Sequence, residues 1–164
     1  GKANEAASVS FGPTTQQTTQ AILTWDEVDA AGLAAVNKQI ETVWTEPGWH
    51  LRYAVMCPSK DTSHGLSLPD LGIVLKFDKG GDVSLKGKSK ARESWRDVWY
   101  LGGKPNRVDV WFDGRAMKVA ANGRSLGPVE MVDEVRSGRT AWRLSMDDDT
   151  ALIFDLRVES FSEF

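Results

Sequence analysis

Between Asn106 and Leu126 the sequence reads NRVDVWFDGRAMKVAANGRSL, and its first half alternates strictly. Val108, Val110 and Phe112 point one way and Asp109, Trp111 and Asp113 the other, the period of two that a strand with unlike faces requires. Asp113-Gly114 interrupts this run, a second run alternates through Met117 and Val119, and Asn122-Gly123 closes it. Both dipeptides supply the positive φ values of a type I′ turn, whose twist matches that of paired strands. Two reversals this close together predict a three-stranded antiparallel meander.

The same reading extends along the chain. Leu51, Tyr53, Val55 and Cys57 alternate with Arg52, Ala54 and Met56, so 50–57 is predicted as a strand that Pro58 ends. Residues 58–70, PSKDTSHGLSLPD, read as a polar loop. GIVLKFD at 72–78 and VSLKG at 83–87 form a hairpin across Lys79-Gly80-Gly81-Asp82. A strand is predicted within 129–135, another from Trp142 to Met146, and a last one from Ala151 to Val158 with Leu152, Phe154, Leu156 and Val158 on one face. That gives eight or nine strands.

Thr24-Trp25-Asp26-Glu27 has the form of a capping box, and Val28, Val36, Ile40, Val43 and Trp44 follow at helical spacings. An amphipathic helix is therefore predicted over about 25–45, ended by Glu46-Pro47-Gly48. Residues 1–20 are polar and rich in Ser, Thr and Gln, and are expected to be a flexible arm or one ordered by a neighbouring subunit. Residues 21–164 are expected to form a single domain: a mostly-β antiparallel sandwich or jelly roll with one helix.

The totals exclude several classes. A net charge of −3 argues against a generic nucleic-acid or anionic-membrane surface. Lys86, Lys88, Lys90, Arg92 and Arg96 nevertheless make a local basic cluster. The single cysteine, Cys57, permits no intramolecular disulfide, and no apolar run approaches the roughly 20 residues that span a bilayer. The chain opens at Gly1 rather than Met, as expected of a fragment or a processed product.

Catalytic and metal-binding patterns are sparse. His50 and His64 are the two histidines, and they do not share a ligand spacing. His64 sits in a Ser-Gly segment where Asp61, Ser63 and His64 are too close in sequence to form a triad. Gly102-Gly103-Lys104 lacks the spacing of a phosphate loop, and Asp147-Asp148-Asp149 lacks that of a calcium loop. Asp109 and Asp113 stand about 13 Å apart on strand rise alone, too far for a glycosidase pair. Asp109 with Asp155 is an alternative that depends on register. No cofactor and no metal are expected.

The meander RVDVWFDGRAMKVAANGRSLG and the closing segment TALIFDLRVESF resemble the inner hairpins and last core strand of the concanavalin A-like sandwiches, which include galectin-type and laminin G-type domains. The resemblance covers roughly residues 70–160 and implies a lectin-like fold. SWRDVWYLGG stands about where galectins carry their tryptophan motif, but their His–Asn–Pro–Arg combination has no counterpart in GIVLKFDKGGDV. Similar sandwiches also serve as viral spike heads and coat proteins.

The expected function is non-enzymatic recognition of a glycan or host-surface ligand, with Arg92, Trp95, Arg96, Trp99 and Tyr100 as the binding patch. Flat rings stack on the apolar faces of sugars, and Arg supplies directional hydrogen bonds. The alternative is a self-assembling viral coat or spike-head subunit, joined through its N-terminal arm. A lectin-like reading favours an extracellular or virion-surface location; nucleic acid is an unlikely partner, and membrane insertion is not expected.

Overall fold

The meander forms as its alternation requires. In the computed structural model, which describes residues 8–13, 19–43, 48–56, 63–69, 72–78, 81–86, 93–96, 98, 104–130, 142–146 and 151–161, it belongs to the larger of two antiparallel sheets. The strands are β1 (Ser8–Pro13), β2 (Thr19–Asp29), β3 (Trp49–Met56), β4 (His64–Leu68), β5 (Ile73–Phe77), β6 (Val83–Lys86), β7 (Glu93–Trp95), β8 (Pro105–Phe112), β9 (Ala116–Ala121), β10 (Arg124–Glu130), β11 (Arg143–Met146) and β12 (Leu152–Ser160). A seven-stranded sheet runs β1-β2-β12-β3-β8-β9-β10 and a five-stranded sheet runs β11-β4-β5-β6-β7. Among the described residues there is one helix, α1 (Leu33–Val43).

The inward halves of the strands make the core. Trp49, Leu51, Tyr53 and Val55 of β3 and Val108, Val110 and Phe112 of β8 are buried, and so are Leu66, Leu68, Ile73, Leu75 and Phe77 of the smaller sheet. Trp25, Trp49 and Trp142 are core residues as well, and the Trp49 ring lies 5.0 Å from that of Trp142 and 5.5 Å from Phe112. Near the start of β3, Gly48 runs against two backbones: a Cβ there would collide with the carbonyl oxygen of Phe161 and lie 2.9 Å from that of Phe112.

Several expectations change in detail. The helix starts at Leu33, and the Thr24–Glu27 segment lies inside strand β2. Leu23 and Trp25 alternate into the core while β2 pairs with β1 on one side and β12 on the other, so sheet pairing overrides the local capping signal. Asp29 instead closes the turn that leads into the helix, its Oδ1 accepting the Gly32 amide at 2.7 Å. Leu33, Val36 and Ile40 form its buried stripe. Ser8–Pro13, within the segment expected to be an arm, pairs with β2 of its own chain.

The expected loop at 58–70 contains strand β4, in which His64, Leu66 and Leu68 alternate inward. His64 is thus an interior residue: its Nε2 lies 3.0 Å from the Tyr53 hydroxyl and its ring stacks on Phe77 at 4.3 Å. On β12 the phase of the buried face slips. Asp155 has φ 50 and stands opposite Asp26, while β3 offers a single residue, Tyr53, between the pairs Phe154↔Ala54 and Arg157↔Arg52. This β-bulge puts Ile153, Leu156 and Val158 inside and leaves Leu152 and Phe154 only half-buried.

The two meander turns also differ from each other. Asn122 and Gly123 both have positive φ, as a type I′ turn needs. At the other turn only Gly114 does, and Asp113 pairs with Ala116 around Gly114-Arg115, which is the type II′ pattern. The Asp113 carboxylate stabilises it by accepting the amides of Arg115 and Ala116, both at 2.8 Å.

Candidate functional site

Register across the seven-stranded sheet brings outward side chains of four adjacent strands into rows. Glu159 of β12 stands opposite His50 of β3, His50 opposite Trp111 of β8, and Trp111 opposite Lys118 of β9. One step along, Arg157 stands opposite Arg52 and Arg52 opposite Asp109. Directly opposed residues on antiparallel strands have Cβ atoms about 4.5–5.5 Å apart, so the side chains of each row stand within reach of one another.

The contacts fit that geometry. His50 Nε2 lies 2.9 Å from Asp109 Oδ1, and His50 Nδ1 lies 3.1 Å from Glu159 Oε1. Only the doubly protonated ring can donate to both carboxylates; a neutral ring donates to one and turns a lone pair to the other. Arg52 Nε donates to the same Asp109 oxygen at 2.9 Å, and Arg157 Nη2 donates to Glu159 Oε2 at 3.0 Å. His50 stacks on the Trp111 indole with ring centroids 4.6 Å apart and planes 12° from parallel. Lys118 Nζ lies 5.5 Å from the centre of the same indole.

The site grades from covered to open. The side chains of His50 and Asp109 are 14% and 12% exposed, whereas those of Arg52 and Arg157 are about half exposed. The Arg52 guanidinium is held above its ordinary pKa, first by its hydrogen bond to Asp109 and next by the charge of that carboxylate. Its terminal Nη groups and the Lys118 ammonium have no ion-pair partner among the described residues. The face can therefore offer an indole, a guanidinium edge and an ammonium to a ligand, held in place by two engaged carboxylates.

Of the expected patch, Trp95 and Arg96 are among the described residues, and neither lies in these rows. Trp95 lies on β7, the edge of the five-stranded sheet, partly buried against the core. Arg96 follows it on the surface, and its carbonyl accepts Arg124 Nη1 at 3.2 Å. Arg92, Trp99 and Tyr100 lie outside the described residues, as do Lys88, Lys90, Gly102, Gly103 and Asp147–Asp149. Asp155 is no partner for Asp109, because β3 separates β12 from β8. The carboxylate that does approach is Glu159, and the His50 ring fills the space between the two acids. Among the described residues no group of three or more His, Cys, Asp or Glu side chains could hold a metal ion.

Sequence reasoning put Asp109 and Trp111 on one face but missed His50, Arg52, Lys118, Arg157 and Glu159 as their neighbours. Alternation gives the face of each strand, whereas the rows need strand order and register.

No protein-family model matches the sequence, and no curated protein matches it. Among solved structures, a galectin from Caenorhabditis elegans superposes with a TM-score of 0.54 at 12% identity, over 92% of this chain and 94% of its own. Sheep galectin-11 in complex with glycerol gives 0.52 at 10% identity, over 70% of this chain and 89% of its own. The fold is a galectin-like, concanavalin A-like β-sandwich. A fructofuranosidase from Schwanniomyces occidentalis complexed with fructosylnystose gives a TM-score of 0.56 at 7% identity, over 95% of this chain and 39% of its own. One galectin-like architecture thus accompanies quite different proteins, and at such identities the likeness carries the fold alone.

Proposed function

We propose that the protein is a non-enzymatic, lectin-like domain that recognises glycans on the outer face of its seven-stranded sheet. The row Glu159–His50–Trp111–Lys118, beside Arg157–Arg52–Asp109, is the observation that carries this reading. Sugars are gripped by an aromatic surface with charged hydrogen-bonding groups fixed beside it, and the interlocked acids hold Arg52 and His50 in one orientation before a ligand arrives. Such preorganisation lowers the entropy lost on binding. The galectin-like fold supports the reading. Attachment or adhesion to a glycan-bearing surface is the matching role.

The test is a glycan array followed by titration of tryptophan fluorescence, on the intact chain and on Trp111→Ala. Binding that falls more than about tenfold in this variant fits removal of a central aromatic contact. Full retention in Trp111→Ala with loss in Trp95→Ala would move the site to the patch of Arg92, Trp95, Arg96, Trp99 and Tyr100. No binding on the array, together with concentration-dependent sedimentation, would favour a self-assembling coat or spike subunit.

A further inference from the structure

We propose that this face selects acidic glycans, sugars bearing a carboxylate or a sulfate, and that Lys118 is the group that selects them. The proposal rests on the glycan reading above and adds the ligand's charge class to it.

The whole chain carries a net charge of −3, so a cationic area needs a local reason. Around Trp111 the fixed charges are Arg52, Arg157 and Lys118 against Asp109 and Glu159, a surplus of one before any proton on His50 is counted. Both acids are already engaged: Asp109 by His50 and Arg52, Glu159 by His50 and Arg157. The cationic groups left without an ion-pair partner among the described residues are the Arg52 terminal groups and the Lys118 ammonium. Arg107, two residues from Asp109 on β8, is exposed and adds a further positive charge. Exposed acids stand at the other side of the sheet, where Asp26 of β2 meets the bulge of β12 at Asp155. The cations left without an ion-pair partner thus lie over β3 and β9, away from the exposed acids at the β2–β12 bulge.

Lys118 occupies the decisive position. Its neighbours on the same face of β9 are Ala116 and Ala120, which leave its long side chain room to swing. Its observed contact is the indole of Trp111. Among the described residues the other ring contact of that indole is His50, across the row from Lys118, so a sugar approaching Trp111 meets the ammonium. A neutral sugar offers the displaced ammonium only hydroxyl oxygens. A carboxylate or sulfate offers it an anion, and hydrogen bonds to an ionised acceptor are roughly twice as strong as neutral ones. One such contact corresponds to a preference on the order of tenfold.

An array in which the same glycan cores are presented neutral, carboxylated and sulfated tests this directly. The intact chain is expected to bind the acidic members about tenfold more tightly, with the gap narrowing in high salt because exposed charges are screened. Lys118→Met keeps the stem and removes the charge, and is expected to bring the acidic-to-neutral ratio close to one; Lys118→Arg should restore it. Preference for only one of the two anions supports the proposal and names the anion. Equal or tighter binding of neutral cores by the intact chain overturns the charge class while leaving glycan recognition standing. A preference that survives in Lys118→Met overturns the part given to Lys118. Failure to bind any glycan removes both readings.

Discussion

The outer faces of the two sheets follow the same alternation and hold opposite kinds of side chain. On the seven-stranded sheet the outward positions of β12, β3, β8 and β9 include Arg157, Glu159, His50, Arg52, Asp109, Trp111 and Lys118, groups that reach across strands and contact one another. On the five-stranded sheet the corresponding rows read Arg143–Ser67–Val74–Lys86 and Ser145–Gly65–Lys76–Ser84–Ser94. Short residues dominate there, and between them lies an open trough of about 190 Å³ lined by Gly65, Ser67, Val74, Lys76, Ser145 and Met146. A face on which serines and a glycine separate Arg143, Lys76 and Lys86 gives shape, with its long side chains set apart from one another. A face of arginine, histidine and tryptophan gives direction, because each side chain is oriented by its neighbour in the row. Strand pairing is common to both, so the difference lies wholly in what the outward positions carry.

Substitutions can break that contrast or sharpen it. The largest effect is expected at Gly48, which lies beside the first residue of β3 and where any Cβ would press on the Phe161 and Phe112 backbones. Gly48→Ala should cost about 3 kcal/mol, as overpacking against rigid backbone does, and chemical denaturation should show a lowered midpoint with glycan binding lost alongside. Asp109→Ala removes the acceptor shared by His50 and Arg52 and should cost about 1–2 kcal/mol, a figure discounted because Arg52 is half exposed. Its effect on glycan affinity should exceed its effect on stability, which calorimetric titration would reveal.

Asn37→Ala sharpens the contrast from the other side. It should destabilise by about 1 kcal/mol, through the two backbone hydrogen bonds that Asn37 makes to Leu144 of β11, without altering glycan affinity. Val74→Thr, at a 46%-exposed position on the five-stranded face, should stay within about 0.5 kcal/mol of the parent and leave binding unchanged. If this last variant weakened glycan binding, the trough would have to be counted as part of the ligand surface.

Legibility in the sequence followed the range of the interactions. The β8–β9–β10 meander was readable because each reversal is set by two adjacent residues and each face by a period of two. Even there the turn at Asp113-Gly114 took the type II′ form, since Asp113 spends its carboxylate on the Arg115 and Ala116 amides and its own φ stays negative. The start of the helix was misplaced because Thr24 and Glu27 satisfy a local capping pattern, while the pairing of β2 with β1 and β12 is decided by residues far away in sequence. Strand β4 was hidden by its polar surroundings, although His64, Leu66 and Leu68 carry the right period. The faces of β12 could not be read from strict alternation, because Asp155 adds a residue that β3 does not match. The candidate site had the least local signal of all. His50 and Glu159 are 109 residues apart and His50 and Asp109 are 59 apart, and only the order β12-β3-β8 makes them neighbours.

Asn37 has one more consequence. Strand β11 ends the five-stranded sheet, and the Leu144 amide and carbonyl both meet the Asn37 carboxamide, the one donating to its oxygen at 3.0 Å and the other accepting from its nitrogen at 2.9 Å. Among the described residues, a single side chain on a helix thereby takes the place that a further strand beside β11 would fill. A stray polypeptide seeking an open ladder finds that rim already taken at its middle, a barrier to intermolecular stacking that requires neither a charge nor a proline.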